Sequence, residues 1–296
     1  MAARKAFALA GAAVCALSHA ALATDLPPAP PLEPIEEASA PQFNGWYLRG
    51  DIGLAFEAAT PDLVYSPNPL VGGAFSSAAY QGFSNTSLSA SGLVDIGAGY
   101  QINPWFRSDV TLEYRDGGNF QSLYTLNDPT NLAQYADFYR GNVSSFVGML
   151  NGYANLGTWF GLTPFVGAGI GFAHNTLYGL SDQSIATIAP NPSVPGGGYF
   201  SNGSTNNFAW ALMTGVDFSV TENLKIELGY RYLNYGKISS GGSNCLNGTG
   251  VNGPFSAGGC GGSHNYISSS NTLASNDFRV GVTWMLGDTP ALTHKD

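Results

Sequence analysis

Charge is what this chain most lacks. Asp, Glu, Lys and Arg together make up 10% of its 296 residues, against roughly 25% in ordinary soluble domains. Past residue 23 the lysines are Lys225, Lys237 and Lys295 and no others. A soluble domain of this length needs a solvated skin, and this composition does not supply one. Long apolar runs are missing too. No segment holds the ~18 consecutive apolar residues of a transmembrane helix. Histidine is sparse and scattered at His19, His174, His264 and His294. That scatter offers no metal or axial haem ligand set. It also offers no His beside a nucleophilic Ser, as a barrel hydrolase would need. No enzymatic activity, metal or cofactor is expected. Of three cysteines, Cys15 lies in the N-terminal apolar run, and no Cys-x-x-Cys accompanies Cys245 and Cys260.

Glycine and aromatics are plentiful, with 39 glycines and 12% Phe, Trp and Tyr. Little charge, many aromatics and no helical span together point to a membrane β-barrel. The N-terminus reads as an export signal. Arg4 and Lys5 precede the apolar run Phe7 to Leu17, and Ala21-Leu22-Ala23 is a small-residue cleavage site. Cleavage is expected after Ala23. Export places Cys245 and Cys260 in an oxidising compartment, where a disulfide is the default. Residues 24–44, with Pro27, Pro28, Pro30, Pro31 and Pro34, read as an extended spacer. Contact of that spacer with peptidoglycan or a periplasmic protein is the alternative.

Eight segments alternate with the period-two pattern of strands. They are 46–57, 88–102, 105–116, 143–156, 164–174, 208–220, 224–235 and 277–286. The gaps between them run long, short, long, short, long, short, long. Long gaps fall at about 58–86, 117–142, 176–206 and 236–273. Eight antiparallel strands with this rhythm make an all-β, eight-stranded transmembrane barrel over 45–287, with a tail at 288–296. Both barrel ends then lie on the short-turn side, and four long loops face the exterior.

Charge decides which face is inside. One face of each segment is apolar, and the other carries Arg49, Asp51, Asp95, Arg107, Asp109, Glu113, Arg115, Asp217, Lys225, Glu227, Arg231, Asp277 and Arg279. Acids and bases nearly balance. A pore selective for one sign would be lopsided, so the charges are expected to close a filled lumen as a salt-bridge network. In the fifth segment Gly167, Gly169 and Gly171 face in, leaving room either for a neighbouring Arg or Tyr or for a thin water path. The aromatics sort by height. Trp46, Tyr100, Trp105, Trp159, Phe160, Phe218 and Trp284 lie at the short-turn end. Phe56, Tyr114, Phe172, Phe208, Tyr230, Tyr232 and Phe278 lie at the other, giving the two girdles of a membrane barrel.

The opening Gly-Trp-Tyr-Leu-Arg-Gly-Asp-Ile-Gly at 45–53, Met-Leu-Asn-Gly-Tyr at 149–153, Thr-Pro-Phe-Val-Gly-Ala-Gly-Ile-Gly at 163–171 and the closing Phe-Arg-Val-Gly-Val-Thr-Trp carry a resemblance. The chain resembles the small outer-membrane protein family of alphaproteobacteria, itself similar to OmpA-type and opacity-type eight-stranded barrels. That resemblance covers about residues 25–286. It implies residence in the outer membrane among lipid and lipopolysaccharide. It also implies recognition of the last strand, Phe278, Val280, Val282, Trp284 and Leu286, by the barrel assembly machinery. Family members usually end at that aromatic, whereas Gly287 to Asp296 continue past it here. The expected role is structural and surface-exposed, contributing to envelope integrity. The alternatives are a small porin, or an adhesin or haem-binding protein acting through the outer loops, where His264, Tyr199 and Tyr266 lie. No nucleic-acid partner is expected.

Overall fold

In the computed structural model the described residues are 45–58, 61–66, 78–130, 133–188, 194–245 and 266–286. The leader, the spacer 24–44 and the tail 288–296 lie outside them. The strands in chain order are β1 (Gly45–Glu57), β2 (Leu63–Ser66), β3 (Tyr80–Leu88), β4 (Ser91–Asn103), β5 (Phe106–Asp128), β6 (Ala133–Asn155), β7 (Leu162–Ile188), β8 (Val194–Phe200), β9 (Gly203–Ser219), β10 (Leu224–Gly236), β11 (Ser243–Cys245), β12 (Tyr266–Ser269) and β13 (Leu273–Met285).

Eight of them close a ring, β1-β4-β5-β6-β7-β9-β10-β13 and back to β1, every pair antiparallel. Closure removes every free edge from the ring, so no backbone N–H or C=O is left facing hydrocarbon. The ring's outer surface is apolar, with Ile52, Ile96, Val110, Leu150, Ile170, Leu212, Leu228 and Val280 exposed. At the short-turn end the exposed rings include Trp46, Trp105, Trp159, Phe160 and Trp284. Phe56, Tyr114, Phe172, Phe208 and Phe278 are exposed at the other end.

The long gaps are not plain loops, and this corrects the expectation. β5, β6 and β7 run for 23, 23 and 27 residues, about twice the roughly 9–11 that cross a bilayer. β3 continues the line of β4 along β5, and β8 continues that of β9 along β7. β11 adds to β8, and β2 pairs with β12. A tall sheet therefore rises from one side of the barrel. The junction is bulged on β5, where Arg115 and Gly118 pair with Ser145 and Val143. It is bulged again on β7, where Ser181 and Tyr178 pair with Arg140 and Asn142. Gly117 (φ 90°) and Gly179 (φ 60°) supply the left-handed backbone these bulges require.

Each bulge reverses the phase of its strand. In β5 the buried residues are 107, 109, 111, 113 and 115 below the bulge and 120, 122, 124, 126 and 128 above it. Chemistry inverts with phase. Below, charge is inside and apolar surface outside. Above, Phe120, Tyr124, Leu126, Tyr139, Leu180 and Phe200 are buried in an apolar core capped by Leu63 of β2 and Ile267 of β12. Outside the membrane water is the solvent, so the ordinary inside-out preference returns.

Candidate functional site

The lumen is the place where this sequence concentrates its chemistry. All the expected lumen charges face inward and are buried. They fall into two connected groups. In the first, nearer the exterior, Arg115 Nη2 reaches Glu113 Oε1 at 2.5 Å and Asp277 Oδ2 at 3.1 Å. Arg231 Nη2 reaches Glu113 Oε2 at 2.5 Å and Asp277 Oδ2 at 2.6 Å. Two guanidiniums and two carboxylates thus alternate in a neutral four-membered ring. The Ser275 hydroxyl donates to Asp277 Oδ1 at 2.7 Å.

The second group centres on Arg49, which meets Asp51 at 2.8 Å, Asp109 at 3.1 Å and Glu227 at 3.0 Å. Glu227 passes to Arg107 at 3.1 Å, and Arg107 to Asp217 at 2.5 Å. Arg279 lies 3.3 Å from Asp51 and 2.9 Å from Asp95. The Asp95 contact is at ion-pair distance but off the hydrogen-bond direction, so both Asp95 oxygens lack a hydrogen bond. Lys225 is buried beside Asp217 and Glu227.

Neighbours in sequence are only partly neighbours in pairing. Arg49–Asp51 and Glu113–Arg115 bond within one strand. Arg107 bonds across the lumen to β9 and β10 and not to Asp109. Arg279 forms ion pairs with Asp51 of β1 and Asp95 of β4 and not with Asp277. Arg107 crosses the narrow barrel and meets the opposite wall, whereas Arg279 leans over the seam onto β1 and β4 beside its own strand.

Aromatics missing from the charge pattern complete the plug. The Arg107 guanidinium lies 4.7 Å from the ring centres of both Tyr153 and Phe165, a cation–π pairing on two faces. The Tyr47 hydroxyl donates to Asp109 Oδ2 at 3.0 Å, and Tyr235 donates to Glu57 Oε1 at 2.6 Å. Asn151 Nδ2 donates to Asp109 Oδ1 at 2.8 Å. Tyr47, Phe165 and Tyr235 occupy the inward parity of their strands, so period two alone could have found them. The glycines of β7 are filled as expected. A Cβ on Gly167 would stand 2.6 Å from the Tyr153 ring, and one on Gly169 would overlap the Asn151 amide. An internal void of about 10 Å³ between Tyr153, Phe165, Glu227, Arg231 and Arg279 is at the limit for one water.

The remaining singled-out residues sit apart. His174 is exposed at the outer end and its Nδ1 pairs with Asn206 Oδ1 at 2.7 Å. Tyr199 is exposed on β8. Cys245 ends β11; Cys260 and His264 lie outside the described residues. Phe278, Val280, Val282, Trp284 and Leu286 form the exposed stripe of the last strand.

Comparison with known proteins matches this picture. The profile of the outer membrane protein beta-barrel domain matches residues 7–285. An uncharacterised protein of Brucella suis biovar 1 is 31% identical over 235 residues, 74% of this chain and 77% of that one. The outer membrane protein PagN of Salmonella typhimurium is 26% identical over 197 residues, covering 64% of this chain and 70% of its own. A putative adhesin of Rickettsia bellii is 24% identical over 201 residues, covering 68% and 77%. The chain is a member of the outer membrane protein β-barrel domain family, an eight-stranded barrel of the Gram-negative outer membrane set among lipid and lipopolysaccharide.

Proposed function

We propose that this protein is a non-conducting structural barrel that contributes to envelope integrity and displays a rigid wall outside the cell. The observation that carries the reading is the lumen, where five arginines and seven carboxylates interlock on side chains buried to within a few per cent. An eight-stranded barrel is only about wide enough for its own side chains. Parting any of these pairs strands a charge where water is scarce, at several kcal/mol each. Residues 1–23 deliver the chain, 24–44 serve as a periplasmic linker, and the closing stripe 278–286 is the signal read by the assembly machinery from an internal position. The role in this reading is non-enzymatic, and it is supported by His174, which pairs with Asn206 and not with a serine hydroxyl.

Attachment is a second reading, favoured by the rising sheet and by the likeness to a putative adhesin of Rickettsia bellii. A stiff sheet standing beyond the lipopolysaccharide headgroups presents Phe138, Arg140, Ile185 and Tyr199 outward. Single-channel recording of refolded protein tests the first reading: silence or rare small openings are expected, and steady ion-selective conductance would establish the porin instead. Binding of host cells to bacteria displaying the parent or Phe138→Asp tests the second.

A further inference from the structure

The rising sheet contains a titratable pair that the lumen network does not use. Asp137 on β6 and Asp182 on β7 both face its enclosed side and are only 1% and 6% exposed. The register makes them diagonal neighbours. Asp137 pairs with Ser184, and Tyr139 with Asp182, positions typically about 7–8 Å apart. Asp137 is nine residues past Phe146, the partner of Tyr114 in the outer girdle, about 30 Å along the strand, so it stands clear of the bilayer.

Among the described residues their surroundings hold no counter-charge. From β5 the phenol of Tyr124 faces Asp137, with Asp128 farther out on the same side. From β6 the Tyr139 hydroxyl donates to Asp137 Oδ2 at 3.5 Å. β3 brings Gln81 and Phe83, and β8 brings Phe200. On β7 and β8 the amides of Asp182 and Gly198 donate to the Asp182 carboxylate. Arg140 and Lys237 are exposed, away from this side. Above Arg115, none of the described residues facing the pair is Lys, Arg or His. Asp137 Oδ1 is buried with no hydrogen-bond partner.

We propose that Asp137 and Asp182 are a proton-operated latch on the outer sheet: protonated, they hold β5, β6 and β7 closed over the aromatic core, and deprotonated, they push the strands apart locally. Burial raises both carboxyls, Asp137 to about 7 with repulsion from Asp182 adding to it, and Asp182 to about 6. An unfolded aspartate ionises near pH 4. The stabilisation is therefore complete below about pH 4 and is lost as pH rises through about 7. Acid closes the sheet, and mildly alkaline medium loosens it and uncovers Phe83, Tyr124, Tyr139 and Phe200.

Hydrogen exchange on the refolded full-length protein in lipid tests this, with rates corrected for intrinsic chemistry. Between about pH 5.5 and about pH 8, protection of residues 119–128, 134–140 and 176–183 should fall by about tenfold or more, since pH 8 lies about one unit above the higher carboxyl. Residues 107–115 and 147–155 of the barrel should keep theirs. The double variant Asp137→Asn, Asp182→Asn, isosteric with the protonated pair, should show no pH dependence there. The comparison within the parent stands even if that variant does not refold. Unchanged protection in the parent, or equal loss in the barrel, would overturn the latch. Restoration of protection by calcium at about pH 8 would also overturn it, assigning the pair to a metal ion in place of protons.

Discussion

Arg231→Met is the substitution that most directly probes the lumen. It keeps an unbranched, flexible stem, loses the guanidinium end, and removes one charge from a ring of four. In the parent, Arg231 Nε and Nη2 lie 2.8 and 2.6 Å from Asp277 Oδ2, and Nη2 lies 2.5 Å from Glu113 Oε2. Its removal leaves Glu113 and Asp277 sharing Arg115 alone, one negative charge in excess. Breaking a buried pair in this way costs about 3–5 kcal/mol. The Ser275 hydrogen bond to Asp277 is common to parent and variant and cancels from the difference. A loss of about 3–5 kcal/mol should appear in urea unfolding in lipid vesicles, read from the shift in gel mobility between folded and unfolded barrel. Charge balance makes a sharper claim. Adding Glu113→Gln restores neutrality, so the double variant should be more stable than Arg231→Met alone. If Arg231→Met costs less than about 1 kcal/mol, or if the second substitution makes matters worse, the ring is not held by charge pairing and the account of the lumen is refuted.

Arg107→Ala vacates the space between Tyr153 and Phe165 and unpairs Asp217, so channel openings rare in the parent should become frequent in planar bilayers. Gly171→Ala drives a Cβ into the Gly148 carbonyl oxygen, and the backbone shift needed should cost about 1–3 kcal/mol in the same unfolding assay. Cys245 and Cys260 should be found bridged in non-reducing mass spectrometry. Their reduction should remove about 3 kcal/mol of constraint from a loop of about sixteen residues without unfolding the barrel. Unboiled protein in detergent should migrate apart from boiled protein, because a closed ring has no edge from which to fray.

What the sequence by itself determined was local. Ile52, Asp51 and their like alternate over stretches long enough to name eight membrane strands, and the same parity sorts lumen charge from lipid-facing side chains. Period two is a property of one strand and needs no partner to be read. The extensions of β5, β6 and β7 were hidden because Asp116-Gly117-Gly118 and Gly179 look like turns. They are instead bulges that reverse the phase, so the alternation resumes on the other parity, with Phe120, Tyr124 and Leu180 inside. Which charge meets which was also beyond the sequence. Arg107 reaches across to β9 and β10, and Arg279 meets β1 and β4 over the seam where the ring closes. Only barrel closure sets those distances, because register between strands, and not spacing along one, fixes which side chains share a height in the lumen.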